Sequence, residues 1–446
     1  MPALASFIGR GGGPARKLRS HLIPSIVCLM QQIIVIGGGV VGLTSAWWLL
    51  EAGYRVTLLE RAAQVGTGTS FSNGGQLSYR YVSPLADAGV PLKAVQWLFQ
   101  EHGPLRLRPQ ADAHQWRWLA AFLTNCRADR NRKTTARLLQ LGELSRRGMA
   151  RLEAIVPPER FEWRDAGKLV VYRSAKAFAA ATARPPSAGA GEIGREVWSA
   201  AECVAREPAL AAMEGRLAGG IYNSGEAVAD CHAFCVALAE RIRTHARFQG
   251  FVQGEASRIV TDGGRVTGLA TSAGLLAADA YVLAAGMQSR ALALGAGISL
   301  PLYPLKGYSL TAPVRQDDVA PEISVTDFER KVLYARIGKQ LRVAAMVDMV
   351  GEDLRLDGRR LASLMRQVRE TMPRAADYHH VTPWAGLRPA TPNSAPIVGP
   401  TGLSNLWLNV GHGPLGFTFA CGTASLLADV MRGRETPFSL DGLSLR

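Results

Sequence analysis

Apolar positions are organised most clearly between Gln32 and Glu60, in QIIVIGGGVVGLTSAWWLLEAGYRVTLLE. Ile33 to Ile36 is a short aliphatic run of the kind that fills a strand buried on both faces, and Arg55 to Leu59 is a second. Leu43 to Glu51 between them predicts a helix packed on a sheet. Residues 91 to 155 read as helical, with Trp97, Trp116, Trp118 and Phe122 among many arginines. Phe161 to Val171 is strand-like, and RPPSAGAGE after it is a cluster of breakers that predicts a surface loop. Ser199 to Leu210 reads as a short capped helix ending at Pro208, and a further helix runs through Arg243. Strands over Ser257–Val260 and Arg265–Ala270 flank Asp262-Gly263-Gly264, whose composition suits a tight hairpin turn. Ala280 to Ala285 is a buried strand ending at Gly286. Between Pro301 and Pro383, LYPLKGYSLTAP and KVLYARIGKQLRVAAMV predict strands, and LRLDGRRLASLMRQVRETMP a covering helix. A strand over Leu406–Val410 and a helix over Thr418–Met431 close the chain, joined by GHGPLGF.

Strand, helix and strand in this order make a β-α-β unit, and its first turn carries Gly37, Gly39 and Gly42 in the spacing G-x-G-x-x-G. The first glycine permits the tight turn, the second lets backbone approach a pyrophosphate, and the third lets helix and strand pack closely. Phosphates would sit on the helix N-terminus. Glu60 ends the second strand, where a carboxylate can accept both ribose hydroxyls of an adenosine, which argues against NADP. Thr67 to Gln76 is rich in glycine and small polar residues, suited to a loop against a ligand with many acceptors or to a solvated surface loop.

The 446 residues suffice for two or three domains, and 48% hydrophobic with 20% charged residues is a globular composition. Six scattered cysteines, without metal-site or disulfide spacing, fit a reducing cytoplasm and give no metal site. Cys231 and Cys235 would share one face of a helix as small buried residues. A net charge of +15 raises nucleic acid or an anionic membrane as partners. Four of those charges, Arg10, Arg16, Lys17 and Arg19, lie in the tail before the first strand, and nucleic acid is not expected. Residues 1–29 are expected to be a disordered extension, with Met30 the natural beginning of the fold. No apolar run is read as long enough to span a bilayer. The basic, tryptophan-bearing surface from Trp97 to Arg151 would suit peripheral contact with anionic lipid on the cytoplasmic face of the inner membrane, or a solvated face over a packed core.

Taken together, GGGVVG, the terminal Glu60, TSFSNGGQLS and GVPLKA resemble the small, flavin-bearing subunit of bacterial D-amino acid dehydrogenases, within the wider D-amino acid oxidase-like flavoproteins. The resemblance covers Met30 to the C-terminus. It implies FAD as cofactor and an α/β fold: a Rossmann-like FAD-binding domain from residues 30–78, 225–300 and 384–446, with an inserted α+β substrate domain from 79–224 and 301–383. The cofactor residues it implies are Gly37, Gly39, Val40, Val41, Gly42, Glu60, Arg61, Ser70, Asn73, Gly74, Gln76, Gly286, Gly413, Leu415, Gly416, Phe417 and Thr418. Backbone N–H groups of Gly413, Leu415 and Gly416, with the helix dipole, form a positive end suited to the N1 and O2 edge of a reduced flavin. Pro414 has no N–H and only shapes the turn.

Oxidising an amino acid requires its carboxylate to be held while Cα–H faces flavin N5. A guanidinium does this with two parallel charge-assisted hydrogen bonds, and Arg388 in AGLRPATP matches the family's carboxylate-binding arginine. Tyr308 is the accompanying candidate for catalysis and substrate contact. No general base is required, because a neutral amine can expel hydride to form an imine that water hydrolyses to an oxo acid and ammonia; His412 is read as shaping its turn. Relatives acting on common D-amino acids carry proline and glycine at Tyr79 and Arg80, and tryptophan at Leu85. Tyr79 and Arg80 are therefore candidate substrate contacts, and a cyclic secondary amine, D-proline or cis-4-hydroxy-D-proline, is the alternative substrate. Asn393 also replaces the family's aspartate. The expected activity is oxidative deamination of D-amino acids, with electrons passed to a quinone or other respiratory-chain acceptor. A peroxide-forming oxidase and a non-catalytic electron-relay subunit are the rivals.

Overall fold

The computed structural model describes residues 31–82, 84–87, 89–91, 103–183 and 194–445. Residues 1–29, Met30, Trp97, Cys28 and the RPPSAGAGE loop lie outside them, and with them the expectations about the tail and that loop.

Six strands form the dinucleotide sheet in the order Ile397–Pro400, Leu406–Val410, Ala280–Leu283, Gln32–Ile36, Arg55–Glu60 and Phe248–Gln253. Neighbours run parallel except at the Ile397–Pro400 edge. Its central strands are buried on both faces, which is why they read as continuous aliphatic runs. Helix Val40–Glu51 follows the first strand directly. The hairpin forms as expected, Ala256–Asp262 pairing with Arg265–Thr271, with Gly263 and Gly264 at φ 53° and 75°. Ser199 and Glu202 close a reciprocal cap on helix Ala200–Arg206.

The second sheet has nine described strands. Thr382–Ala390 stands at one edge, followed by Tyr303–Pro313, Gln340–Met349, Val332–Ile337, Ser324–Asp327, Lys168–Tyr172, Gly219–Asn223 and Arg195–Ser199; Leu105–Leu107 adds to Gln340–Met349. Helix Gly358–Thr371 covers one face, packing Leu364 and Val368 against Leu310 and Val343. The other face looks toward the dinucleotide sheet across a large cavity. The edge strand Thr382–Ala390 carries Arg388, so that residue stands on the large sheet although it falls in the 384–446 stretch assigned to the FAD-binding unit.

Three expectations change. The helical reading of 91–155 is interrupted by strand Leu105–Leu107, and the helices are Ala113–Asn125, capped by Asp112, and Ala128–Glu153. Of Phe161–Val171 only the end is strand, because a 3-10 turn at Pro158–Phe161 precedes Lys168–Tyr172. The segment Gly413–Met431 is long and apolar enough to cross a bilayer by length and composition, contrary to the sequence reading. It is a core helix: Thr44 donates to Ala420 O at 3.2 Å from one side, and Ala128–Glu153 lies against the other. There Gly422 and Gly148 replace side chains, since an added Cβ would fall 2.9 Å from Leu141 O and 2.9 Å from Cys421 Cβ respectively. The buried stripe of Ala128–Glu153 is Leu138, Leu141, Met149 and Leu152, and its arginines at 146, 147 and 151 face solvent.

Candidate active site

The cavity between the sheets measures about 2300 Å³. At its dinucleotide end Gly37 has φ +112°, and a Cβ there would lie 2.6 Å from Ala284 O. At Gly42 a Cβ would lie 1.8 Å from Gly37 O, so helix and turn touch only because Gly42 lacks a side chain. A Cβ on Gly39 would meet only Ser70 Oγ, at 3.4 Å, leaving the backbone there open to a phosphate. Val40 N–H donates to Ser70 Oγ at 3.1 Å, tying the loop to the helix start. The first turn of Val40–Glu51 holds no acid to neutralise its positive end. Glu60 is fixed by the N–H groups of Gly38 (2.6 Å) and Ala62 (2.9 Å). Arg61 beside it, 3.8 Å from Glu255, is largely exposed.

The loop after Glu60 is stitched across the large sheet. Ser309 Oγ donates to Ser72 O (2.8 Å), Arg342 Nη1 to Asn73 O (2.9 Å), and Gly75 N–H to Asn73 Oδ1 (2.9 Å). Gly74 lies under Leu333 and Ala344. Gln76 accepts from Lys168 Nζ at 2.9 Å and donates to Ser324 Oγ. At the other end Gly413, φ +54°, opens the turn Gly413–Leu415 that leads into helix Gly416–Met431, and Ser78 N–H donates to Thr418 Oγ1 at 3.1 Å. Gly286, Val41 and Leu415 line the cavity as well. Phe417 contributes backbone there, its ring packing 5.6 Å from that of Phe234. A glycine-lined helix start, an acid at the ribose position and a second positive helix end fit a flavin adenine dinucleotide.

Arg388 projects from the edge strand over Gly307. A Cβ on Gly307 would fall 2.1 Å from Nη2, 2.3 Å from Cζ and 2.6 Å from Nη1. Its Nη1 donates to Met346 O at 2.8 Å, and among the described residues no carboxylate pairs with it. Burial pulls the guanidinium down to about 10 against the opposing charge of Asp348, so it is protonated at neutral pH.

Residues 32–430 match the family described as "DAO: FAD dependent oxidoreductase". The chain belongs to that family. It is 49% identical over 417 residues to D-amino acid dehydrogenase 2 of Pseudomonas aeruginosa, covering 94% of this chain and 98% of the relative. It is 45% identical to a protein of the same name from Ralstonia nicotianae, covering 91% and 97%. Among solved structures, L-proline dehydrogenase from P. horikoshii superposes with TM-score 0.72 at 15% identity, covering 93% and 96%. Glycine oxidase from Geobacillus kaustophilus superposes with TM-score 0.70 at 21% identity, covering 94% and 98%. The protein is thus an FAD-dependent oxidoreductase of the DAO fold, and the resemblance seen in GGGVVG and TSFSNGGQLS is borne out.

Within this DAO fold the residues expected to touch substrate are placed differently from one another. Tyr308 follows Gly307 in an extended strand, so its side chain points to the opposite face. There its hydroxyl donates to Asp348 Oδ2 at 3.1 Å, and Asp348 also accepts from Arg360 (2.7 Å) and Arg106 (2.6 Å). Burial and the Asp348 charge push the Tyr308 phenol up, so that the residue borders the cavity while its hydroxyl is engaged with Asp348. Tyr79 is buried between helix Ala128–Glu153 and the core, its backbone oxygen where a Gly142 Cβ would come within 2.2 Å. Arg80 does line the cavity, beside Gly225. His412 is buried, with Nε2 3.0 Å from Thr423 Oγ1, and desolvation pushes it down to about 3. It is a neutral turn residue, in keeping with the role read from sequence. Asn393 Oδ1 accepts from Ala395 N–H at 3.1 Å and shapes a turn. Sequence reasoning missed Gly307, Asp348 and Lys168. The signal for Lys168 was a lysine opening the otherwise apolar run KLVVY.

Proposed function

We propose that the protein catalyses oxidative deamination of D-amino acids. Electrons then pass to an acceptor other than oxygen, a quinone in our reading. The observation that carries this is Arg388: a cation over the cavity with which no carboxylate of the described residues forms an ion pair, on a strand that ends beside the dinucleotide site. A substrate carboxylate supplies the missing anion through two parallel hydrogen bonds. FAD, when bound, supplies the two-electron acceptor that takes hydride from Cα. The chain's part is to fix the carboxylate and exclude water, with Leu305, Gly307, Ala344 and Leu333 forming an apolar roof. Neither His412, held neutral and bonded to Thr423, nor Tyr308, on the far face, is placed to take a proton, so the amine enters neutral and its nitrogen lone pair forms the imine. The naming of the Pseudomonas and Ralstonia relatives supports the D-configuration.

The same reading places reoxidation at a membrane surface. Trp116 and Leu123 are exposed on helix Ala113–Asn125, with Arg117, Arg127, Arg130 and Arg132 exposed nearby, a pattern that suits anionic lipid. Co-sedimentation with anionic vesicles at low salt tests this point. The test of the activity is anaerobic flavin bleaching against D- and L-amino acids, with D-proline and both 4-hydroxy-D-prolines included. Bleaching by D-isomers alone, without peroxide in air, is expected. Peroxide formation would make it an oxidase, and no bleaching at all would favour the relay subunit.

A further inference from the structure

The cavity face of the large sheet ends, away from Arg388, in polar groups that the reading above does not use. Lys168 begins strand Lys168–Tyr172, and with Val170 and Tyr172 it faces the cavity while Leu169 and Val171 enter the core beneath. Its ammonium donates to Gln76 Oε1 (2.9 Å) and Ser78 Oγ (3.0 Å) and lies 4.2 Å from the centre of the Tyr81 ring. The side chain is only 4% exposed, and among the described residues it has no ion pair. Glu226, the acid whose charge reaches it, already accepts the N–H groups of Tyr79 (2.6 Å), Arg80 (3.0 Å) and Tyr81 (3.2 Å). Two neutral acceptors and the face of the Tyr81 ring surround the ammonium, and the Glu226 charge acts on it through space without a direct ion pair. Burial accordingly brings its pKa down to about 8.

Two more polar groups share this wall. Thr326 is the register partner of Val170 on the neighbouring strand, and its Oγ1 is buried without a hydrogen-bond partner. Asn223 is the antiparallel partner of Lys168 and also lines the cavity. A buried cation without a direct ion pair and an orphaned hydroxyl on the next strand, both lining the cavity, together describe a place for an oxygen acceptor from outside the chain.

We propose that Lys168, with Thr326 and Asn223, binds an oxygen acceptor carried by a ligand in this cavity. Two ligands offer that chemistry: the side chain of the amino acid, through a hydroxyl, amide or carboxylate, and the carbonyl edge of the flavin ring. The first source rests on the function proposed above; the second requires only that the protein holds FAD.

The experiment compares wild-type holoenzyme with Lys168→Met and with Lys168→Gln, which keeps hydrogen-bonding capacity while removing the charge. One arm measures kcat/KM for matched D-amino acids with and without a side-chain oxygen, asparagine against leucine, threonine against valine, and 4-hydroxyproline against proline. The other measures sulfite affinity and the flavin midpoint potential, which need no amino acid. A fall of about tenfold or more in the preference for the oxygen-bearing partner, with sulfite affinity unchanged, assigns the site to the substrate side chain. Sulfite binding weakened about tenfold and a lowered potential, with preference unchanged, assign it to the flavin. Holoenzyme variants that move neither readout overturn the proposal. If the wild type oxidises no D-amino acid the proposed function fails, and the sulfite arm still decides whether Lys168 faces a ligand.

Discussion

Gly307→Ala is a small change aimed at one atom group. The added methyl would lie 2.1 Å from Arg388 Nη2, where an ordinary contact begins at 3.4 Å, so the guanidinium must retreat by about 1.3 Å. The backbone pays little, because Gly307 does not occupy the left-handed region and the obstructing atoms are the end of a flexible side chain. Replacing a strand glycine by alanine changes stability by about 0.4–1 kcal/mol and in the stabilising direction where the conformation is compatible. Misplacing an anchoring group by about 1 Å costs on the order of 10²-fold in rate. The expected variant therefore folds, keeps its FAD and melts within a few degrees of wild type, while kcat/KM for its D-amino acid falls about 100-fold. Stopped-flow bleaching against substrate concentration separates binding from hydride transfer, and the loss should appear mainly in the binding constant. A variant with full FAD content and kcat/KM within twofold of wild type would refute the claim that the guanidinium above Gly307 holds the carboxylate.

Further changes separate the other parts of the site. Arg388→Lys keeps a charge but not a bidentate fork, and a rise in substrate dissociation constant of about 10-fold or more is expected in the same bleaching assay. Gly42→Ala would place a Cβ 1.8 Å from Gly37 O, a backbone atom that cannot step aside, so purified protein should be colourless or insoluble, read from the flavin absorbance per chain. His412, pushed down to about 3 in the fold against about 6.5 unfolded, stays neutral while the unfolded chain takes up a proton; stability is lost as pH falls from about 6.5 toward 3, by roughly 1.4 kcal/mol per unit. Urea unfolding of wild type and His412→Gln across that window checks the sign, the variant showing the shallower slope.

The dinucleotide end was legible because each device there is local: glycines between a strand and a helix, an acid closing the second strand, and a second glycine turn before the last helix. The substrate face was not, and the reason is visible in Tyr303–Pro313. Nearly every residue of that strand is buried, so no alternation shows which parity faces the cavity, and a shift of one position sends Tyr308 to the wrong side. The true occupant of the cavity side is Gly307, whose importance lies in an absent side chain under Arg388. Tyr79 was placed otherwise for a related reason, since a loop carries no period to show that its side chain enters the core while its backbone lies against Gly142. The helical character of Ala128–Glu153 was readable, but not its bounds or its purpose. Its basic residues look outward because Leu138, Leu141 and Met149 seat against the last helix.

That seat has a consequence for how the chain is made. Thr44 in the first helix bonds to Ala420 in the last, 376 positions later, and Arg432 Nη1 reaches Ala52 O at 2.8 Å. A ribosome adding 5–20 residues per second needs roughly 19–75 s to cover that interval. For all of it, Trp47, Leu43 and their neighbours have emerged while the helix that buries them has not. Neither can the strand Leu406–Val410, which completes the sheet beside Ala280–Leu283, be in place. The two ends of the cofactor cavity, at Gly37–Gly42 and Gly413–Leu415, are therefore brought together only when nearly the whole chain has been made.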